Sequence, residues 1–243
     1  IWNKKLFKEM VSFAGWNLWA HLANIAYTQG LNILLNMFFG PLVNAARGVA
    51  VQVQGAITQF SSNFQTALNP QITKSYAVQD YDYMHNLIFR SSKLTFFLLL
   101  FLSLPVMMET EYILSVWLTK VPDYTVIFLQ LMLCVTIVDS VANPLMVAAS
   151  ATGKVKFYQS VVGGILLAIL PVSYIVLKLG GAPISVFIVH WVICIIAFIV
   201  RLFIIKSMIN ISLSAYWRQV ISKCLFTALV AVILPLTLKL FMD

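Results

Sequence analysis

The sequence predicts an all-α fold, a polytopic membrane helix bundle of about seven transmembrane helices. Three observations predict it. Of 243 residues, 61% are hydrophobic and 10% charged, against roughly 45–50% apolar and 25% charged in a typical soluble domain. The apolar residues run in long stretches without the alternation of a barrel strand, which excludes a transmembrane β-barrel as the composition excludes a soluble enzyme domain. The cations collect at the ends of those stretches, on alternate sides, as a chain that crosses a bilayer repeatedly requires.

Hydropathy and punctuation place the helices at 11–38, 43–69, 86–107, 122–150, 157–178, 183–205 and 217–240. Gly40-Pro41 ends the first and opens the second, because glycine tolerates the left-handed cap and proline suits the first helical position. Asn69-Pro70 is expected to stop the second helix, and Val121-Pro122 opens the fourth. Gly153 and Gly180-Gly181 bound the fifth. Pro105, Pro144, Pro171 and Pro235 lie within or near apolar spans, where they should kink helices and free carbonyls.

With seven alternating spans, one side receives Lys4, Lys5, Lys8, Lys74, Arg90, Lys93, Lys154, Lys156, Arg201, Lys206, Arg218 and Lys223. The other receives Arg47, Lys120, Lys178 and Lys239. Twelve against four is expected to put the amino terminus in the cytoplasm and the end of the seventh helix outside. Glu109, Glu111 and Asp123 gather in the outer connection after the third span, and Trp117 and Trp217 lie near predicted interfaces. The net charge of +8 is thereby explained by the bilayer, so no nucleic-acid partner is expected. Cys134, Cys194 and Cys224 are far apart inside apolar stretches and suit small buried thiols rather than a disulfide or metal framework. The chain opens at Ile1 without methionine or signal peptide and stops at Asp243 directly after an apolar helix, so it reads as a fragment.

The second helix departs from the pattern. Between Asn44 and Asn69 it carries Arg47, Gln52, Gln54, Thr58, Gln59, Ser61, Ser62, Asn63, Gln65 and Thr66. At 100° per residue, Ala46, Val49, Ala50, Val53, Ile57, Phe60, Phe64 and Leu68 share one face and the polar groups take the other. Unpaired amides in hydrocarbon each cost several kcal/mol. That polar face therefore meets either a hydrogen-bonded bundle core or a water-filled pathway, and its length and its cation favour the pathway.

The fourth helix holds the intramembrane acid Asp139, on a stripe with Thr136, Ser140 and Asn143. About sixteen residues from the helix start, or ~24 Å along the axis, Asp139 falls in the cytoplasmic half of the bilayer. It is either a structural hydrogen-bonding group or a proton- or ion-linked one. His21 and His190, each alone in an apolar helix, suit packing better than chemistry. No H-E-x-x-H motif, cysteine pair or serine with a nearby base is present, and no enzyme activity is expected. Ala-Thr-Gly-Lys at 151–154 lacks the remaining phosphate-loop residues and suits a tight turn.

Ordered blocks of the chain are F-F-G-P-L-V-N-A-A-R-G-V-A at 38–50, F-x-x-A-L-N-P-Q-I-T-K-S-Y-A at 64–77, I-L-S-V-W-L at 113–118 and A-T-G-K-V-K-F-Y-Q at 151–159. Through them the chain resembles the polysaccharide and O-antigen flippases of the multidrug/oligosaccharidyl-lipid/polysaccharide exporter superfamily. The resemblance covers most of residues 11–180; the last two helices are only generically similar. It implies that residues 1–210 form the second six-helix lobe of a two-lobe exporter, that 211–243 add a cytoplasmic connection and an accessory helix, and that the first lobe is missing. It further implies translocation of an undecaprenyl-diphosphate-linked oligosaccharide across the bacterial inner membrane by alternating access, during O-antigen, capsule or exopolysaccharide synthesis. Membrane lipids and the missing lobe are the other expected partners.

On that reading Arg47 would meet the diphosphate, and Asn44, Gln52, Gln59, Ser62, Asn63 and Thr66 the sugar hydroxyls. Asp139 and Asn143 would serve ion coupling. No cofactor is implied beyond a proton or sodium gradient. Alternatives are a multidrug or cation antiporter of the same fold, which would want several acids in its pathway, and a membrane-integral glycosyltransferase or polymerase, which would want a larger outer loop than 108–121.

Overall fold

The protein, described here from a computed structural model that covers residues 4–242, is built of helices joined by short connections, with no strand among those residues. Ile1 and Asp243, on which the fragment reading rests, lie outside the described residues, as do the side chains of Lys5 and Lys239. The helices are α1 (Lys4–Phe39), α2 (Pro41–Ala77), α3 (Tyr81–Met108), α4 (Thr110–Trp117), α5 (Thr125–Ala151), α6 (Val155–Leu167), α7 (Ile169–Lys178), α8 (Ile184–Ile209), α9 (Leu213–Tyr216) and α10 (Ser222–Met242). A π-helical turn, Trp217–Ile221, joins the last two.

These make seven long rods among the described residues. α6 and α7 are one rod broken at Ala168, because Pro171 has no N–H for the Leu167 carbonyl. Five rods are long and apolar enough to cross a membrane by length and composition: α3, α5, α6 with α7, α8, and the stretch from Leu213 to Ile233. The chain is thus a polytopic membrane helix bundle. α1 and α2 have the length, and their polar residues keep them below that mark.

Several boundaries have visible causes. Gly40, at φ 81°, occupies the backbone region that lets α1 turn directly into α2 with Pro41 at its first position. Asp80 accepts from the Tyr83 amide and caps α3, so that helix starts at Tyr81 rather than 86. The expected stop at Asn69-Pro70 does not occur, and α2 continues to Ala77. Pro70 sits on the exposed side, while Gln65, Ile72 and Ser75 are buried and hold both halves of the helix to their neighbours.

α5 is the central rod and packs against α2, α3 and α8. The pairs α1–α2, α2–α5, α5–α8, α8–α6 and α6–α1 close a ring of five helices. α3 lies outside the ring against α2 and α5, and α10 packs against α3. Tyr216 pins the last rod by donating to the Val141 carbonyl at 3.1 Å and the Ser92 hydroxyl at 3.2 Å. Two apolar cores occupy the ring's ends. One gathers Ile72, Met84, Leu145, Tyr158 and Ile205 toward the lysine-rich end, and the other gathers Leu31, Ala50, Phe128 and Phe187 toward the opposite end.

Arg201 corrects the charge division. The sequence alone sets it among the cations at the lysine-rich end, yet α8 continues eight residues past it to Ile209 and its side chain is only 8% exposed. Arg47, at 7%, is likewise buried. Without these two, the asymmetry of the remaining cations persists, at eleven against three. Single cysteines beside Lys74, Lys154 and Lys206 are therefore expected to label from one side of the membrane, and those beside Lys120 and Gly181 from the other. Labelling of the Lys154 and Gly181 positions from the same side would refute the seven-rod threading.

Candidate functional site

A cavity of about 640 Å³ lies within the helix ring. α2 contributes Gln54, Gly55, Thr58, Ser61, Ser62 and Gln65; α5 contributes Thr136, Asp139, Ser140 and Asn143. α1 adds Asn17, His21, Asn24 and Tyr27, α6 adds Tyr158 and Gln159, and α8 adds Arg201. The polar stripes of the second and fourth sequence-predicted helices thus converge on one space, with a third wall from α1. His21, Asn24, Gly55, Ser62 and Met146 are exposed and form its rim.

Hydrogen bonds between helices stitch the walls. Gln54 Nε2 donates to Thr136 Oγ1 at 2.6 Å and to the Met132 carbonyl at 3.3 Å, tying α2 to α5. Gln159 Nε2 reaches Asn17 Oδ1 at 3.4 Å, tying α6 to α1. These bonds belong to the bundle core. Other donors on the same walls stay unmade: Arg201 Nε, Gln65 Nε2 and the Tyr158 hydroxyl are buried without a hydrogen-bond partner. The polar stripe of α2 thus both bonds a neighbouring helix and lines the cavity.

The sequence-predicted site residues divide. Ser62, Asp139 and Asn143 line the cavity. Gln52, Gln59, Asn63 and Thr66 are exposed on the outer side of α2, with Gln59 donating to Asn63 at 2.8 Å and Thr66 to the Ser62 carbonyl at 2.8 Å. Helical geometry is the reason, since a polar stripe this wide spans two faces and only the edge turned toward α5 enters the ring. Asn44 is half-buried, with Oδ1 unpartnered, and does not line the cavity.

The predicted apolar face of α2 also breaks. Ala46, Ala50 and Ile57 are buried, but Phe60 is 63% exposed, and Ser61 and Gln65 take the inward positions below it. The inward stripe of α2 is continuous in space and changes from apolar to polar along its length.

Arg47 is not on the cavity wall. Its guanidinium donates to Asn32 Oδ1 and to the Thr28 carbonyl, both on α1 and close to the Gly40 joint. Arg201 is the cation that lines the cavity together with Asp139 and Tyr158. His190 is half-buried with its ring edge-on to Tyr27 at 5.5 Å between centroids, and its Nε2 has no hydrogen-bond partner. The three cysteines are free thiols, Cys134 half-buried and the other two buried. Among the described residues no group of three His, Cys, Asp or Glu side chains converges as a metal site.

Comparison with protein-family models, curated proteins and solved structures finds no match for this chain.

Proposed function

We propose that the chain is a membrane-embedded lobe of an exporter that moves an undecaprenyl-diphosphate-linked oligosaccharide across the bacterial inner membrane. The supporting observation is the cavity. A ring of five helices surrounds a cavity of about 640 Å³, open at its rim, whose lining sets amides, hydroxyls, one acid and one guanidinium among apolar side chains such as Val51, Val162 and Leu166, and apolar cores flank it toward both ends. Hydroxyl-rich cargo needs donors and acceptors together, which amide and hydroxyl walls supply. The lipid tail remains in the bilayer while the polar head occupies the space between helices.

The lysine-rich end faces the cytoplasm on this reading, consistent with cation asymmetry across bilayers. α1 and α2 share the hinge at Gly40 and carry much of the cavity rim, so their separation is the natural gate. A proton or sodium gradient acting at Asp139 would drive alternation. The rival cation antiporter is disfavoured by Arg201, whose charge shares the cavity with Asp139.

The test is the leaflet exposure of a lipid-linked oligosaccharide in vesicles containing the protein at a defined density. Transbilayer movement should rise in proportion to protein content. Movement equal to that of protein-free vesicles would refute transport by this chain.

A further inference from the structure

We propose that Arg201, Gln65 and Tyr158 form a binding site for an oxyanion, either a phosphate group or a sugar carboxylate, on the wall of the cavity. The three come from α8, α2 and α6, and their side chains are 8%, 6% and 1% exposed. Each keeps one polar atom buried without a partner, namely Arg201 Nε, Gln65 Nε2 and the Tyr158 hydroxyl, and each lines the same cavity. Buried polar groups are overwhelmingly hydrogen-bonded in folded proteins, so unmade donors on three facing helices mark a place that something else completes.

The donor set selects its ligand. A guanidinium N–H and an amide N–H can only donate, and a phenol donates readily to an anion. Together they suit a group rich in lone pairs and negatively charged. A guanidinium also offers five N–H donors in a planar fork, more than the carboxylate of Asp139 can take up. Asp139 is the acid on the lining of the same cavity, and the incoming oxyanion adds a second negative group near the guanidinium. Arg47 Nε is also buried without a partner, but Arg47 does not line the cavity and its fork is already engaged by Asn32 and Thr28, so it has no such role.

This inference rests on the transport reading for how the ligand arrives, but binding is measurable without transport. The experiment is calorimetric titration of the purified protein in detergent with inorganic pyrophosphate, with glucuronate, and with glucose as the neutral control. At least one of the two anions should bind, and glucose should not. Pyrophosphate alone would identify a phosphate-bearing head, glucuronate alone an acidic sugar, and both a general oxyanion site.

Arg201→Gln should weaken anion binding about tenfold or more, and Tyr158→Phe about two- to fivefold, as expected for loss of a charged and a neutral hydrogen bond. Lys156→Gln, at the exposed cation over Trp16, should change nothing. If Arg201→Gln fails to fold, Tyr158→Phe carries the test, since it removes one oxygen and keeps the ring. Failure of both anions to bind would overturn the site, leaving water on those donors, and so would unchanged affinity in a folded variant. Anion binding without flipping would keep the site and refute transport. Flipping without anion binding would do the reverse.

Discussion

Arg47→Ala is expected to cut the amount of folded protein in the membrane about fivefold or more, while each surviving molecule keeps flipping within about twofold of the unsubstituted protein. Arg47 is 7% exposed and donates to Asn32 Oδ1 and the Thr28 carbonyl. Both acceptors belong to α1, so the guanidinium clamps α1 to α2 near the Gly40 joint from which the two helices diverge. Truncation leaves the half-buried Asn32 Oδ1 without this donor, takes the second donor from the Thr28 carbonyl, and opens a void where the side chain lay. Such losses amount to about 2–4 kcal/mol, a large fraction of the stability of any single fold. Arg47→Lys should fall between, because one ammonium cannot reproduce a planar fork spanning a side-chain oxygen and a carbonyl. Quantitative blotting of the membrane fraction, with leaflet exposure measured at matched protein density, checks the prediction. Normal abundance with flipping lost would instead place Arg47 on the cargo, as the position of Arg47 in the sequence suggests when the fold is unknown.

What was legible in the sequence follows from what local physics can encode. Long apolar stretches with cations at their ends yield seven rods because hydropathy is additive along the chain. Turns such as Gly40-Pro41 and Gly153 were legible because backbone geometry at glycine and proline is local. The convergence of the second and fourth helices was half-legible, since a carboxylate and a row of amides at membrane depth must avoid lipid. The side of α2 that enters the ring was not, because the stripe is wide and the choice between Gln54 and Gln52 depends on where α5 packs. Pro70 misled for a related reason: burial of Ile72 and Ser75 on the opposite face carries the helix through a residue that propensity says should end it.

Arg201 shows the same limit from the other direction. Read along the chain, it lies near Lys206 at the end of an apolar run and looks like an interface anchor. The signal available was periodicity: Cys194, Ala197, Arg201, Ile204 and Ile205 recur at helical spacing and share the buried face of α8, whereas Lys206 is exposed. A cation in phase with the apolar face of its helix is a buried cation, and a buried cation implies a cavity or a partner. Here α2 and α6 supply neighbouring uncharged donors, and the cavity's charge is set by Arg201 on α8 and Asp139 on α5.

Asp139→Asn is expected to slow gradient-driven transport about tenfold or more while leaving protein abundance within about twofold. Asp139 is half-buried on the cavity wall, so the side chain of asparagine fits the same space and retains hydrogen-bonding capacity. What it cannot do is exchange a proton or give an ion a charged ligand, and it cannot offset the charge of Arg201 in the cavity. A purely structural ion pair makes the opposite forecast, because an isolated charge left in a bundle is costly and removal of both partners relieves that cost. The double variant Asp139→Asn with Arg201→Gln separates the two. If the pair is structural, the double variant should recover both abundance and transport relative to the worse single variant. If Asp139 couples the gradient and Arg201 holds the cargo, abundance should be near normal and transport no better than in either single variant. The measurement is initial transport rate against an imposed proton or sodium gradient, at matched protein density and across a range of pH. A normal rate in Asp139→Asn at every pH would make the acid structural and move the coupling site elsewhere in the protein.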